Sequence, residues 1–177
     1  MTVRQKATER MVLSALFAAL TAVCAQVIIP VGVVPVSLSL LPVLLCGALL
    51  RPWDAVIAMG TYLLMGLFGL PVFTGLQGGP GKLLGPTGGY ILGYIPCAVL
   101  IALISQKNRS LPRIIIGMAV GVFTCYLFGT LWYTVSAGQS FWAALSVCVF
   151  PFILFDAGKI VLATLLSHRL VKAGFGI

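Results

Sequence analysis

Only three acidic side chains, Glu9, Asp54 and Asp156, and one histidine, His168, occur in this 177-residue chain, and charged residues of both signs make up 8% of it. So few titratable groups exclude most kinds of active-site chemistry. A metal centre takes several His, Cys, Asp or Glu ligands, and this set, spread along the chain, does not supply one. No Ser-His-Asp triad can be assembled around His168, which adjoins Arg169 near the end of the last apolar run, a helix-end or headgroup position. The five cysteines, Cys24, Cys46, Cys97, Cys125 and Cys148, each lie in an apolar run without a CxxC pair, as small buried hydrophobes do. Disordered, collagen-like and disulfide-scaffold compositions are excluded as well. The expectation is a protein that is not an enzyme and carries no cofactor.

What the chain has in quantity is apolar surface. Ala, Val, Ile, Leu, Met, Phe, Trp, Tyr and Cys make up 60% of it and the mean hydropathy is +1.14, whereas soluble chains run near ~45–50% apolar and ~25% charged. A spanning helix takes ~20 residues. The sequence therefore predicts an all-α integral membrane protein, a single membrane domain over residues 1–177 with six transmembrane helices in one compact bundle. The apolar runs lie at about 11–29, 36–50, 55–70, 90–105, 114–135 and 141–170. The first exceeds the ~7–15-residue core of a signal peptide and is read as a retained helix. The second is short and carries Pro42, which suits a tilted segment or one partly buried against its neighbours.

Basic residues set the orientation, because cytoplasmic loops are enriched in Lys and Arg. With the N-terminus inside, Arg4, Lys6, Arg10, Arg51, Lys107, Arg109, Arg113, Arg169 and Lys172 all fall on the cytoplasmic side, which predicts that both termini are cytoplasmic. Only Lys82 falls outside, and Lys159 lies within the sixth run. The formal charge of +8 then reports topology and anionic membrane lipid, and requires no nucleic-acid partner. Asn108-Arg109-Ser110 matches a glycosylation sequon but falls on the inside.

Two segments carry candidate function. Residues 70–89, between the third and fourth runs, hold seven glycines and three prolines. A P-loop would require Gly at position 76 and Ser or Thr at 83, and both are leucine; a dinucleotide fingerprint would require Gly at 84, also leucine. Pro71, Phe73, Pro80, Leu83, Leu84 and Pro86 instead suggest a folded, partly buried Gly/Pro-rich lid loop. The second segment is Pro151 to Lys159, which places Asp156 and Lys159 inside an apolar run, where each charge costs ~2.5–3.5 kcal/mol on the insertion scale. Spaced i, i+3, they share a helix face. A self-satisfied pair that fixes the bundle, a polar anchor for a small ligand in an apolar cavity, and a proton relay are the three readings. On the first helix Ala15 and Ala19, and beside them Ala18 and Ala22, have the small-residue spacing of close helix approach, either within the bundle or with a partner.

Taken together, several segments resemble the BioY family, the biotin-specific substrate-binding (S) components of energy-coupling factor (ECF) transporters. The resemblance covers nearly the whole chain. It rests on Ala15 to Leu20, Ile29-Pro-Val-Gly-Val-Val-Pro35, Gly69-Leu-Pro-Val-Phe-Thr-Gly75 leading into Gly85-Pro-Thr-Gly-Gly-Tyr90, and Pro151 to Lys159. It implies a six-helix bundle in the plasma membrane of a prokaryote that captures biotin for uptake, with a separate energising transmembrane subunit and two ATPase subunits as partners. Carried over by position, Asp156 and Lys159 are the implied polar anchors, Gln77 with Gly78 and Gly79 the implied loop contacts, Phe73 and Tyr90 the implied apolar walls, and Ala15 and Ala19 the implied docking face. Where family members often carry a glutamine near the start of the second helix, this chain has Ser39. The competing readings are a self-sufficient secondary transporter for biotin or a related small carboxylate, whose coupling to protons the scarcity of titratable residues disfavours, and an intramembrane enzyme, which the lack of paired catalytic groups disfavours.

Overall fold

The structure, a computed structural model, describes residues 3–29, 36–106 and 109–174. Positions 30–35 of the motif that begins at Ile29, together with Lys107 and Asn108, lie outside the described residues. The elements in chain order are α1 (Val3–Cys24), β1 (Ile28–Ile29), β2 (Val36–Ser37), α2 (Leu40–Leu49), α3 (Pro52–Leu67), α4 (Pro80–Leu84), α5 (Gly88–Ser105), α6 (Leu111–Ala137), α7 (Phe141–Cys148) and α8 (Phe150–Lys172).

Proline begins several of these helices. Pro52, Pro80, Pro112 and Pro151 each stand in a first turn, where the missing N–H is not needed and the fixed φ suits the helix. In α1, Leu13, Ser14, Phe17, Ala18 and Thr21 are buried at helical spacing, while Met11, Val12, Ala15, Leu16, Ala19, Leu20 and Val23 are exposed. An outward face with no charge over that stretch is the face of a helix that meets lipid or another protein.

α2 is the centre of the molecule. All but one of its ten residues are buried, and it packs against α1, α3, α5, α6 and α8. α5 and α6 share the most extensive helix–helix contact. On the other edge, Arg10 of α1 reaches Asp54 in the first turn of α3, and the Ser14 hydroxyl donates to the Asp54 carbonyl at 3.1 Å.

Three expectations need correction. The first apolar run is not helical to its end: α1 stops at Cys24, and Ile28 and Ile29 pair antiparallel with Ser37 and Val36, so the fold is not wholly α. β-branched residues next to a turn favour the extended state, and the pairing satisfies backbone groups that a membrane protein cannot leave bare. The second run correspondingly contributes only ten helical residues, about 15 Å of rise. The sixth run is two helices, broken at Val149 (φ −124°, ψ −55°), because Pro151 has no N–H to donate to the Val147 carbonyl and its ring would clash with that carbonyl in a continuous helix. Four helices, α1, α5, α6 and α8, are long and apolar enough to cross a membrane, which makes this a multi-pass membrane protein.

The 70–87 connection is folded. Phe73 and Gln77 pair through their backbones, and Gly79 N–H donates to the Gly66 carbonyl at 2.6 Å. Phe73 packs its ring on Gly66, where a Cβ would lie 1.9 Å from Cζ, so only glycine admits it.

Candidate functional site

A cavity, part of it open to solvent, lies where β2, α2, the 70–87 connection, α5, α6 and α8 converge. Its charged floor comes from α8. Asp156 and Lys159, one helical turn apart, meet at 2.7 Å and are 3% and 8% exposed. A buried ion pair is favourable only when its remaining lone pairs and protons find partners. Both do here: the Tyr126 hydroxyl of α6 donates to Asp156 Oδ2 at 2.5 Å, and Lys159 Nζ donates to the Ser37 carbonyl of β2 at 2.8 Å. A hydroxyl chain continues the network, from Ser37 Oγ to Ser39 Oγ and on to Tyr94 Oη, each link 2.6 Å.

The walls are aromatic and aliphatic. Tyr90, Ile91 and Tyr94 come from α5, Leu40 from α2 and Phe152 from α8. Tyr90 is held at both ends: its ring lies on Gly129 of α6, where a Cβ would come within 2.3 Å of Cζ, and its hydroxyl donates to the Cys148 carbonyl at 2.8 Å. That carbonyl is one that the α7–α8 break leaves without a helical partner.

The third side is supplied by the 70–87 connection through Thr74, Lys82 and Thr87. Their side chains have no hydrogen-bond or ion-pair partner among the described residues. Partial burial pushes the Lys82 ammonium below its ordinary range. The connection is moored to the turn after α1 by Gln26, whose amide donates to the carbonyls of Val72 (3.3 Å) and Phe73 (3.1 Å) and whose Oε1 accepts from Leu76 N–H at 2.8 Å. Leu76 has φ +55°, an uncommon conformation for a residue with a side chain, and the Gln26 bond holds it there.

Of the residues expected from the sequence, Asp156, Lys159 and Tyr90 line one cavity. Phe73 does not: it is fully buried in the core, edge-on to Tyr62 at 5.5 Å. Gln77 is exposed, and Gly78 and Gly79 are packed on the backbone of residues 66–70, so these three also stand outside the lining. Ala15 and Ala19 are on the exposed face of α1, whereas Ala18 is fully buried. Sequence reasoning missed Tyr126, Tyr94, Ser37 and Gln26, each of which carries a polar group in an otherwise apolar stretch. Lys82 did leave a signal, as the one cation outside the cytoplasmic set and the sixth run.

The sequence model of the BioY family matches residues 1–174. The chain is 35% identical over 164 residues to the biotin transporter BioY of Thermotoga maritima, covering 93% of this chain and 96% of that one. It is 38% identical over 159 residues to the probable biotin transporter BioY of Pyrococcus horikoshii, covering 89% and 93%. Its fold matches a crystal structure of the S-component for biotin from an ECF-type ABC transporter with a TM-score of 0.89 at 29% identity, over 97% of this chain and 95% of that chain.

Proposed function

This chain belongs to the BioY family, and from that membership we propose that it captures biotin in the cavity above Asp156 and Lys159 and serves uptake as the substrate-binding component of an ECF-type ATP-driven vitamin importer. The observation that carries the reading is the hydrogen-bonding capacity left at the floor. An ammonium has three donors, and Lys159 uses two, on Asp156 and Ser37, leaving one for a carbonyl. Each Asp156 oxygen accepts a single bond, leaving lone pairs for two N–H groups. One acceptor and two donors are what a ureido ring presents. Tyr90, Ile91, Leu40 and Phe152 then offer apolar contact to the sulfur ring and chain.

In this reading α2 and α3 complete six membrane passages with the four long helices, both termini are cytoplasmic in a prokaryotic plasma membrane, and the 70–87 connection is the lid. The exposed Ala15 and Ala19 face docks the energising transmembrane subunit, and ATP hydrolysis belongs to two ATPase subunits. The chain itself is no enzyme and uses no cofactor. Isothermal titration of the purified, ligand-stripped chain with biotin tests this, with riboflavin and thiamine as controls. Saturable binding of biotin alone is expected; its absence from a folded chain would overturn the reading. Biotin uptake by this chain alone in liposomes would instead establish a secondary transporter.

A further inference from the structure

On the outward side of the bundle, α5 and α6 part to leave a slot near the start of one helix and the end of the other. Gly89, which is buried, lies at its base beside Trp132, and Leu92, Leu127, Phe128 and Leu131 stand along its sides. Leu127, Phe128 and Leu131 are exposed. Both helices are long and apolar enough to cross a membrane, so their outward side meets lipid. Every side chain of the lining is apolar but for the Trp132 indole N–H, and that donor is taken by the Gly85 carbonyl at 3.0 Å. Gly89 is what admits the indole, since a Cβ there would collide with the Trp132 Cβ. One residue on, Tyr90 packs on Gly129 and walls the cavity above Asp156 and Lys159. The first turn of α5 thus has the slot on one side and that cavity on the other.

A protein helix does not suit the slot. Close helix approach needs small residues on the facing surface, and here the one small residue, Gly89, is already covered by Trp132 while leucines and a phenylalanine stand along the rims. A narrow apolar slot between bulky side chains fits a chain of methylenes, whose dispersion contacts the empty lining would forgo. We propose that the slot binds one acyl chain of a membrane lipid, and that filling it steadies the start of α5 and the 70–87 connection through Trp132. A chain lying in the slot presses the indole onto Gly89 and keeps its N–H on Gly85, where α4 gives way to the turn into α5. That turn has no slack, because a Cβ at Gly88 would collide with the Leu83 carbonyl. Thr87 of the same turn and Tyr90 beyond it line the cavity, so the lipid holds one of its walls in place.

The test uses the full chain in detergent with Trp53→Phe and Trp142→Phe, both exposed positions, so that Trp132 alone fluoresces. It is titrated with phosphatidylglycerol brominated on its acyl chains, a contact quencher of indole. Saturable quenching is expected, and Leu131→Asn, which puts an amide on the rim, is expected to raise the lipid needed by about tenfold. Leu131 is exposed, so that change leaves the core intact. Quenching that grows in proportion to lipid without saturating, or that Leu131→Asn leaves unaltered, would mean that only bulk lipid touches Trp132 and would overturn the site. Hydrogen exchange then reads the link to the connection. With the same lipid at saturation, the amides of residues 79–90 of the wild-type chain are expected to exchange about tenfold more slowly, and Trp132→Phe, which lacks the indole N–H, to lose that protection. Equal exchange with and without lipid in the wild type would overturn the link.

Discussion

Arg10 closes on Asp54 with both ends of its guanidinium fork: Nε lies 3.1 and 2.9 Å from the two carboxylate oxygens and Nη2 lies 2.7 Å from Oδ1. The carboxylate is only 3% exposed and stands in the first turn of α3, where negative charge is also favoured by the helix dipole. The bond ties α1 to α3 near the start of α1, at the opposite end of that helix from the Gln26 mooring of the 70–87 connection. Arg10→Met leaves a buried carboxylate without its cation and is expected to lower stability by about 2 kcal/mol, read as an earlier unfolding midpoint in detergent. Arg10→Lys keeps the charge but loses the bidentate geometry and should fall between the two. An unchanged midpoint in Arg10→Met would show that the pair contributes nothing to stability.

The floor acts as one network, so its members should not contribute independently. Asp156→Asn and Lys159→Met are each expected to weaken biotin binding by more than about tenfold, with the protein still folded. Tyr126→Phe removes the donor to Asp156 Oδ2 and should also weaken binding. Combined with Lys159→Met it should cost less than the sum of the two single changes, because both act through the same carboxylate. Strict additivity would break the network apart, and wild-type affinity in Asp156→Asn and Lys159→Met would reduce the pair to a fastener of the bundle.

Gln26 bonds to three residues of the 70–87 connection through one side chain. Gln26→Leu keeps the bulk and removes all of these bonds, freeing Leu76 from its unfavourable φ. The expected result is faster biotin release, by about tenfold, with association little changed. Displacement of labelled biotin by unlabelled biotin reads this directly. Slower association with unaltered release would place Gln26 in entry and not in retention.

Ala15 and Ala19 are exposed on α1 while Ala18 of the neighbouring stripe is buried, so the two alanine stripes have different neighbours. Ala15→Trp and Ala19→Trp are expected to leave biotin affinity within about threefold and to abolish uptake in cells that supply the partner subunits, because close helix approach needs small side chains. Loss of binding in these variants would assign the stripe to the fold itself.

The long helices were legible because α5, α6 and α8 are apolar runs of spanning length, and the ion pair was legible because charge in such a run is expensive. The β1–β2 hairpin was not, since Val27, Ile28 and Ile29 continue the apolar run of α1 and hydropathy does not separate a short strand from a helix end. The break at Val149 was hidden in the same way, with Pro151 as its one mark. In the site, Phe73 was placed at a cavity wall by the family resemblance alone, whereas Gly66 gives its ring a place in the core. Tyr126 was missed for the opposite reason: in an apolar helix a tyrosine reads as bulk, and its hydroxyl matters only because α8 brings Asp156 against it.

The bond from Lys159 to the Ser37 carbonyl joins positions 122 residues apart. During synthesis β2 leaves the ribosome well before α8, the last of the described helices. Until α8 docks, the cavity has neither its carboxylate nor its inner ammonium, and only the walls from β2, α2, α5, α6 and the 70–87 connection are in place. On the proposed reading, the floor that would hold ligand therefore arrives last in assembly, and a chain whose synthesis stops before α8 is expected to bind no biotin.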